Sequence, residues 1–258
     1  MTTIDTAPGI GAIPLSAPVN LRDLGGIAIP GGAVRPGFAI RADDLATVTD
    51  EVADELVAGG LRAVIDLRSS AELALTGRGP LGERASVSYH HLPFMADIGT
   101  ATAIASVPRQ HEFGAMYLHI YESAAPQIVT ALAIMAHAPG ATAFHCAAGQ
   151  DRTGVLAASL LLALGAEPAD IVADYVRTGE NSAMIHRRIA PVIRPLMERL
   201  GFDLDAVADA AFSDAPMRSL LRVLDERHGD PLAPLQAAGL TDGLIARLRE
   251  RALEADAA

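Results

Sequence analysis

"ATAFHCAAGQDRTGVLAASLLLAL" occupies residues 141–164, and its reading decides the fold. The first six residues are apolar and β-prone and read as a buried strand. "AAGQ" supplies two small residues and a glycine, which suits a tight loop. "DRTGVLAASLLLAL" reads as a buried helix, with Gly165 as its C-terminal cap. Strand, loop and helix in this order form the repeating unit of a mainly parallel α/β sheet. At the turn of such a unit, backbone N–H groups of the loop and of the helix N-terminus converge on one concavity and favour an oxyanion.

The flanking segments extend the pattern. Upstream, "GGIAIPGGAVRPG" reads as two short strands around the Gly31-Gly32 turn, a hairpin. "FAIRADDL" begins as a third short strand. "TDEVADELVAGG" is an amphipathic helix ended by Gly59-Gly60, "LRAVIDLRSS" a buried strand leaving the sheet at Asp66, and "SVSYHHLPF" a further strand. Residues 110–139 read as largely helical, with the register broken near Pro126. From Pro168 onward the pattern is entirely helical, and the stretch carrying Pro191 and Pro195 is expected to kink or split. Thr241 is a plausible N-cap for the last helix. The expectation is a single α/β domain over residues 1–258: a central, mainly parallel sheet of about four strands, a small N-terminal hairpin, flanking helices and C-terminal helices over about 214–258. Residues 1–19, rich in Pro, Gly and Ala, are expected to form an extended arm.

Composition bounds the function. The chain has 258 residues and a net charge of −11, with no lysine, so all 20 basic residues are arginine. No basic stripe is visible, which argues against a nucleic-acid partner and against stable association with anionic membranes. The single cysteine excludes an intramolecular disulfide and a cysteine-based zinc site. It fits a reducing, cytoplasmic compartment, and no secretory signal pattern is visible at the N-terminus. His90, His91 and His186 are isolated from other ligand-type residues, so no metal is expected. Met116, Met135 and Met197 read as core filler.

That cysteine, Cys146, sits where strand gives way to loop. A ring of N–H donors there would favour its thiolate, the form needed for covalent catalysis. A buried structural thiol would also account for a lone cysteine. Arg152, six residues on, can return to the same cavity and grip two phosphate oxygens with its guanidinium fork. Thr153 can hydrogen-bond the thiolate. His145 is expected to order the loop rather than act as a base. The backbone of Ala147, Ala148, Gly149, Gln150, Asp151 and Arg152 forms the phosphate cradle.

The segment resembles the HCxxGxxR(S/T)G signature of the protein-tyrosine phosphatase superfamily. "NLRDLGG" (20–26), "VIDLRSSAE" (64–72), "HLPF" (91–94), "DYVRTGEN" (174–181) and "GLTDGLIARLRE" (239–250) resemble, in order, its bacterial PtpB-like branch. The resemblance spans roughly residues 18–252. It implies phosphotyrosine hydrolysis through a cysteinyl-phosphate, with no metal and no organic cofactor, and a helical lid within about 170–221. It also implies an association with phosphoinositide hydrolysis. A phosphoinositide or other small-phosphoester phosphatase is therefore the alternative, and a non-catalytic phosphate-binding module a further one. Relatives in this branch commonly carry lysine where this chain has Gln150. Gln150 brings no charge, which weakens the expectation of a multiply phosphorylated lipid substrate.

One carboxylic acid must protonate the leaving group. Asp151 is the position implied by the branch, with a helix N-cap as its other reading; Asp66 is the alternative acid. Asp66 and Arg68 could instead form a structural ion pair, perhaps with Glu72. Arg22 and Asp23 could brace the site or merely cap the hairpin. Arg187, Arg188 and Arg194 read as a solvated helix face, or as an anion-attracting face on a lid. Oligomeric state is not legible.

Overall fold

The computed structural model describes residues 3–4, 13–95, 113–199 and 212–253. Most of the expected arm, the helix start at 110–112, the stretch 200–211 of the expected lid, residues 254–258 and the Met197 side chain lie outside the described residues.

A mixed five-stranded sheet forms the centre, in the order β3-β6-β9-β7-β8. Its strands are β3 (Arg22–Asp23), β6 (Ala39–Ala42), β9 (Ala141–His145), β7 (Leu61–Asp66) and β8 (Ser88–His91). Four of them run parallel, as the alternating pattern predicts; β3 adds an antiparallel edge to β6. The hairpin forms where expected, from β4 (Ala28–Ile29) and β5 (Gly32–Ala33). "FAIRADDL" begins as a strand as expected and joins the main sheet, where Ala39 to Ala42 pair in parallel with Thr142 to His145. Two further short strands, β1 (Thr3–Ile4) and β2 (Ile13–Pro14), pair with each other.

Every residue of β9 is buried, as befits a central parallel strand covered on both faces. Its side chains alternate between two cores. Phe144 faces the larger cluster, with Ile65; Ala143 faces the smaller one, with Val64. Helix α1 (Asp50–Ala58) covers the smaller side, capped by Thr49 Oγ1. The larger side is built by α3 (Phe113–Ser123), α4 (Ala125–His137), α5 (Asp151–Leu164), α6 (Pro168–Glu180), α8 (Ala215–His228) and α10 (Asp242–Leu253). Met116 and Met135 belong to that core. The break near Pro126 separates α3 from α4, and Gly165 closes α5 in the left-handed conformation at φ 87°. Leu244 N donates to Thr241 Oγ1 at 3.2 Å, which makes Thr241 a cap for α10.

Three local features differ from the sequence pattern. Of the kink or split expected at Pro191 and Pro195, the split does not occur: α7 (Ser182–Arg199) runs through both as one helix. A short helix after Asp66, α2 (Ser70–Thr76), goes unseen in the sequence reading because it is only two turns long. The same holds for α9 (Ala233–Ala237). Among the described residues no helix is long and apolar enough to cross a membrane.

Candidate active site

The carboxyl ends of β6, β9 and β7 lie side by side, with Ala42 and Asp66 both in register with His145. Chain reversals at such ends are where open α/β sheets carry their sites. The strand–loop–helix unit ends β9 at His145, places Cys146 next, and begins α5 at Asp151. Cys146 is 2% exposed.

The loop is shaped from behind. Asp44 N donates to Ala147 O at 3.1 Å. Asn20 Nδ2 donates to Ala148 O at 3.2 Å and to Gly149 O at 3.1 Å. Arg41 Nη2 donates to Gly149 O at 2.9 Å. Three successive carbonyls are thus turned away from the cavity. No backbone carbonyl among the described residues accepts from the N–H groups of residues 147–150. Those amides join the free N–H groups of the first turn of α5, where the helix dipole is positive. Gly149 makes the tight reversal possible: its φ is +67°, and a Cβ there would lie 2.5 Å from Ala42 O.

Arg152 lies in the first turn of α5, clamped by a residue the sequence reading had assigned elsewhere. Its Nη1 and Nη2 donate to Glu72 Oε2 and Oε1 at 2.6 and 2.8 Å. Glu72 sits at the third position of α2 in a capping box, accepting from Ser69 N at 2.7 Å. Burial alone would push the Glu72 carboxyl up; the Arg152 charge outweighs it and holds the carboxyl at about 2. Burial likewise opposes the Arg152 charge, and Glu72 overcomes it, raising the guanidinium above its ordinary value. The end-on clamp leaves the side-on fork of Arg152, its Nε–H and an outer terminal N–H, for an oxyanion.

Asp151 is the first residue of α5 and not its cap, which is Gln150. Its Oδ1 accepts from the Tyr117 hydroxyl at 2.7 Å. Burial pushes the Asp151 carboxyl above its ordinary value, against the Tyr117 hydrogen bond and the Arg152 charge. Asp66 has the opposite character. It accepts from Arg68 Nε and Nη2 at 2.9 and 2.7 Å and from the Tyr89 hydroxyl at 2.6 Å. Burial opposes its charge, yet His145, Arg68 and Tyr89 hold its carboxyl well below the usual range. A carboxyl so held has no proton to give at neutral pH. The pair is structural, and its further partner is Asp44, 3.1 Å from Arg68 Nη1; Glu72 takes no part.

His145 is fully buried, and burial lowers its imidazole below the ordinary value. Leu45 N donates to its Nδ1 at 3.3 Å, so the ring orders the loop. Thr153 Oγ1 is buried without a hydrogen-bond partner, so the expected bond to the Cys146 sulfur is not formed. Asp23 caps turns, accepting from Gly25 N and Gly37 N at 2.6 Å each, and braces the hairpin, not the site. Arg22 does brace the site: Nη1 donates to Asn20 Oδ1 at 2.6 Å, and Nε to Asp174 of α6 at 2.8 Å. Arg41 pairs with the same Asp174 carboxylate. The Arg188 side chain is tucked against the sheet end and not solvated. Its Nη1 donates to Asp43 Oδ2 at 2.7 Å and Asp44 O at 2.9 Å, because α7 lies against the β6 exit. Sequence reasoning missed Asn20, Arg41, Glu72, Tyr117 and Asp174. Of these, Asn20, Glu72 and Asp174 lay inside segments already singled out, Glu72 with another partner expected.

The model of the tyrosine phosphatase family matches residues 13–254. Among curated relatives, the triple specificity protein phosphatase PtpB of Mycobacterium tuberculosis is 28% identical, over 89% of this chain and 95% of the relative. A Cupriavidus necator protein named as a tyrosine-protein phosphatase is 31% identical, over 78% of this chain and 76% of its own length. A tyrosine-protein phosphatase of Nostoc commune is 33% identical over 53% of this chain and 46% of its own.

Proposed function

This chain belongs to the tyrosine phosphatase family, and from that premise we propose that it hydrolyses phosphotyrosine through a cysteinyl-phosphate on Cys146. The observation that carries the reading is the loop between Cys146 and Arg152, whose carbonyls accept from Asp44, Asn20 and Arg41 behind it while its N–H groups have no backbone acceptor among the described residues. Such a ring holds three non-bridging phosphate oxygens and meets the charge that develops on them during in-line transfer.

Two steps follow. The Cys146 thiolate attacks phosphorus, the P–O bond to the tyrosine oxygen breaks, and Asp151 gives that oxygen its proton. A water then attacks the cysteinyl-phosphate, Asp151 takes its proton, and the S–P bond breaks to release inorganic phosphate. Asp151 suits both steps because burial raises its carboxyl while Tyr117 still supports the ionised form. Arg152 stays charged throughout, held by Glu72. Helices α6 and α7, tied to β6 and its exit through Asp174 and Arg188, form the described part of a covering lid. Gln150 adds no charge to the cradle, which favours a singly phosphorylated aryl substrate over a phosphoinositide.

Wild type and Cys146→Ser are assayed on a phosphotyrosine peptide, a phosphoserine peptide and soluble phosphoinositides. The expected result is phosphotyrosine turnover that Cys146→Ser abolishes. Turnover by Cys146→Ser overturns the covalent mechanism; hydrolysis of phosphoinositides alone overturns the substrate class.

A further inference from the structure

Behind Asp151 runs a chain of hydroxyls that the two catalytic steps do not by themselves require. Tyr117 stands on α3, fully buried, and donates to Asp151 Oδ1 at 2.7 Å. Its oxygen lies 2.7 Å from the Tyr175 hydroxyl of α6. The two rings meet edge to face, their centroids 6.0 Å apart. A phenol has one proton. Tyr117 spends it on Asp151, so Tyr175 must donate to Tyr117. The Tyr175 oxygen is then left to accept. The chain thus runs in one direction: Tyr175, Tyr117, Asp151 Oδ1.

We propose that Tyr117 is a positioning residue for the general acid, its hydroxyl occupying Asp151 Oδ1 so that the transferable proton is carried on Oδ2. Tyr175 fixes the direction of that hydrogen bond. The inference rests on the reading of Asp151 as the acid. During the first step, the Oδ2 proton passes to the leaving oxygen as the P–O bond breaks. The carboxylate left behind is stabilised at Oδ1 by Tyr117, and its Oδ2 is free to take the proton of the attacking water. The titratable and charged groups facing Asp151 are Tyr117 from α3, Tyr175 from α6 and Arg152 on its own helix, with Glu72 behind Arg152.

The test compares Tyr117→Phe, Tyr175→Phe, Asp151→Asn and Tyr117→Phe/Asp151→Asn with wild type on aryl phosphates of graded leaving-group acidity, across pH. Tyr117→Phe is expected to lower kcat on phenyl phosphate about tenfold, the worth of one hydrogen bond to a charged group, and much less on dinitrophenyl phosphate. The carboxylate loses a donor, so the alkaline limb of the pH profile moves up. Tyr175→Phe should shift both readouts the same way by less. In the Asp151→Asn background, Tyr117→Phe should add no leaving-group dependence. A folded Tyr117→Phe with wild-type leaving-group dependence and alkaline limb overturns the proposal. If Tyr117→Phe does not fold, the same result in Tyr175→Phe overturns it. If Asp151→Asn itself keeps the wild-type leaving-group dependence, the acid assignment falls, and the positioning role with it.

Discussion

Glu72→Gln tests the electrostatic heart of the site while nearly preserving shape. In the folded protein the Glu72 carboxyl is held at about 2, against an ordinary value of 4.5. That depression corresponds to about 3 kcal/mol of folding stability at neutral pH. Because the folded value is the lower one, this stability is fully present above the ordinary value and is lost as pH falls through the folded one. Glutamine keeps one acceptor for Ser69 N, so the cap of α2 partly survives. It cannot offer two oxygens to Arg152, and its amide N–H opposes one guanidinium N–H. Urea denaturation at a series of pH values should show the variant less stable by about 3 kcal/mol at neutral pH, with the gap closing below about pH 4. With its orienting clamp gone, Arg152 should also lose about two orders of magnitude in kcat/KM on an aryl phosphate. A stability gap that stays constant down to about pH 3, or an unchanged kcat/KM, would refute the reasoning.

Three further outcomes are expected. Asn20→Ala removes both Nδ2 donors from the loop carbonyls; kcat/KM should fall about tenfold with about 1–2 kcal/mol of stability, read by steady-state kinetics and thermal melting. Gly149→Ala sets a Cβ 2.5 Å from Ala42 O on a left-handed backbone. Calorimetry should then find inorganic phosphate binding lost, at a stability cost of about 1–3 kcal/mol. Asp66→Asn leaves the buried Arg68 short of its main partner. It should destabilise by about 3–5 kcal/mol in denaturant titration. Any folded fraction should keep the wild-type leaving-group dependence, which a general acid at Asp66 would not allow.

The signature loop was fully legible because its chemistry is local. A strand, a small-residue loop and a helix place Cys146, the amide ring and Arg152 within seven consecutive residues, and no distant contact is needed to bring them together. The parallel sheet was legible for a similar reason: β9 and β7 carry apolar residues on both faces, a pattern that only a doubly covered strand needs. The antiparallel edge β3 was harder, since two residues carry no periodicity.

The partners of the loop were not legible, because they are set by contacts between elements far apart in sequence. Asn20 reaches Gly149 across 129 positions, and Glu72 meets Arg152 across 80. "VIDLRSSAE" shows three charged residues close together, and proximity suggests one cluster. The fold divides them: Asp66 and Arg68 leave the end of β7 inward, while Ser69 caps α2 and turns Glu72 toward the next loop. The choice between Asp66 and Asp151 as acid was undecidable from residue type, since both are aspartates near the same strand ends. Their surroundings differ: Arg68 holds Asp66 well below the ordinary carboxylate value, while burial pushes Asp151 above it despite Tyr117 and Arg152, which is why Asp151 is the acid proposed. The sequence by itself thus determined the strand–loop–helix that carries Cys146 and Arg152, whose geometry is local backbone. Only the tertiary structure decided which charges are paired and which carboxyls are held ionised, because those follow from burial and from partners the chain brings together only on folding.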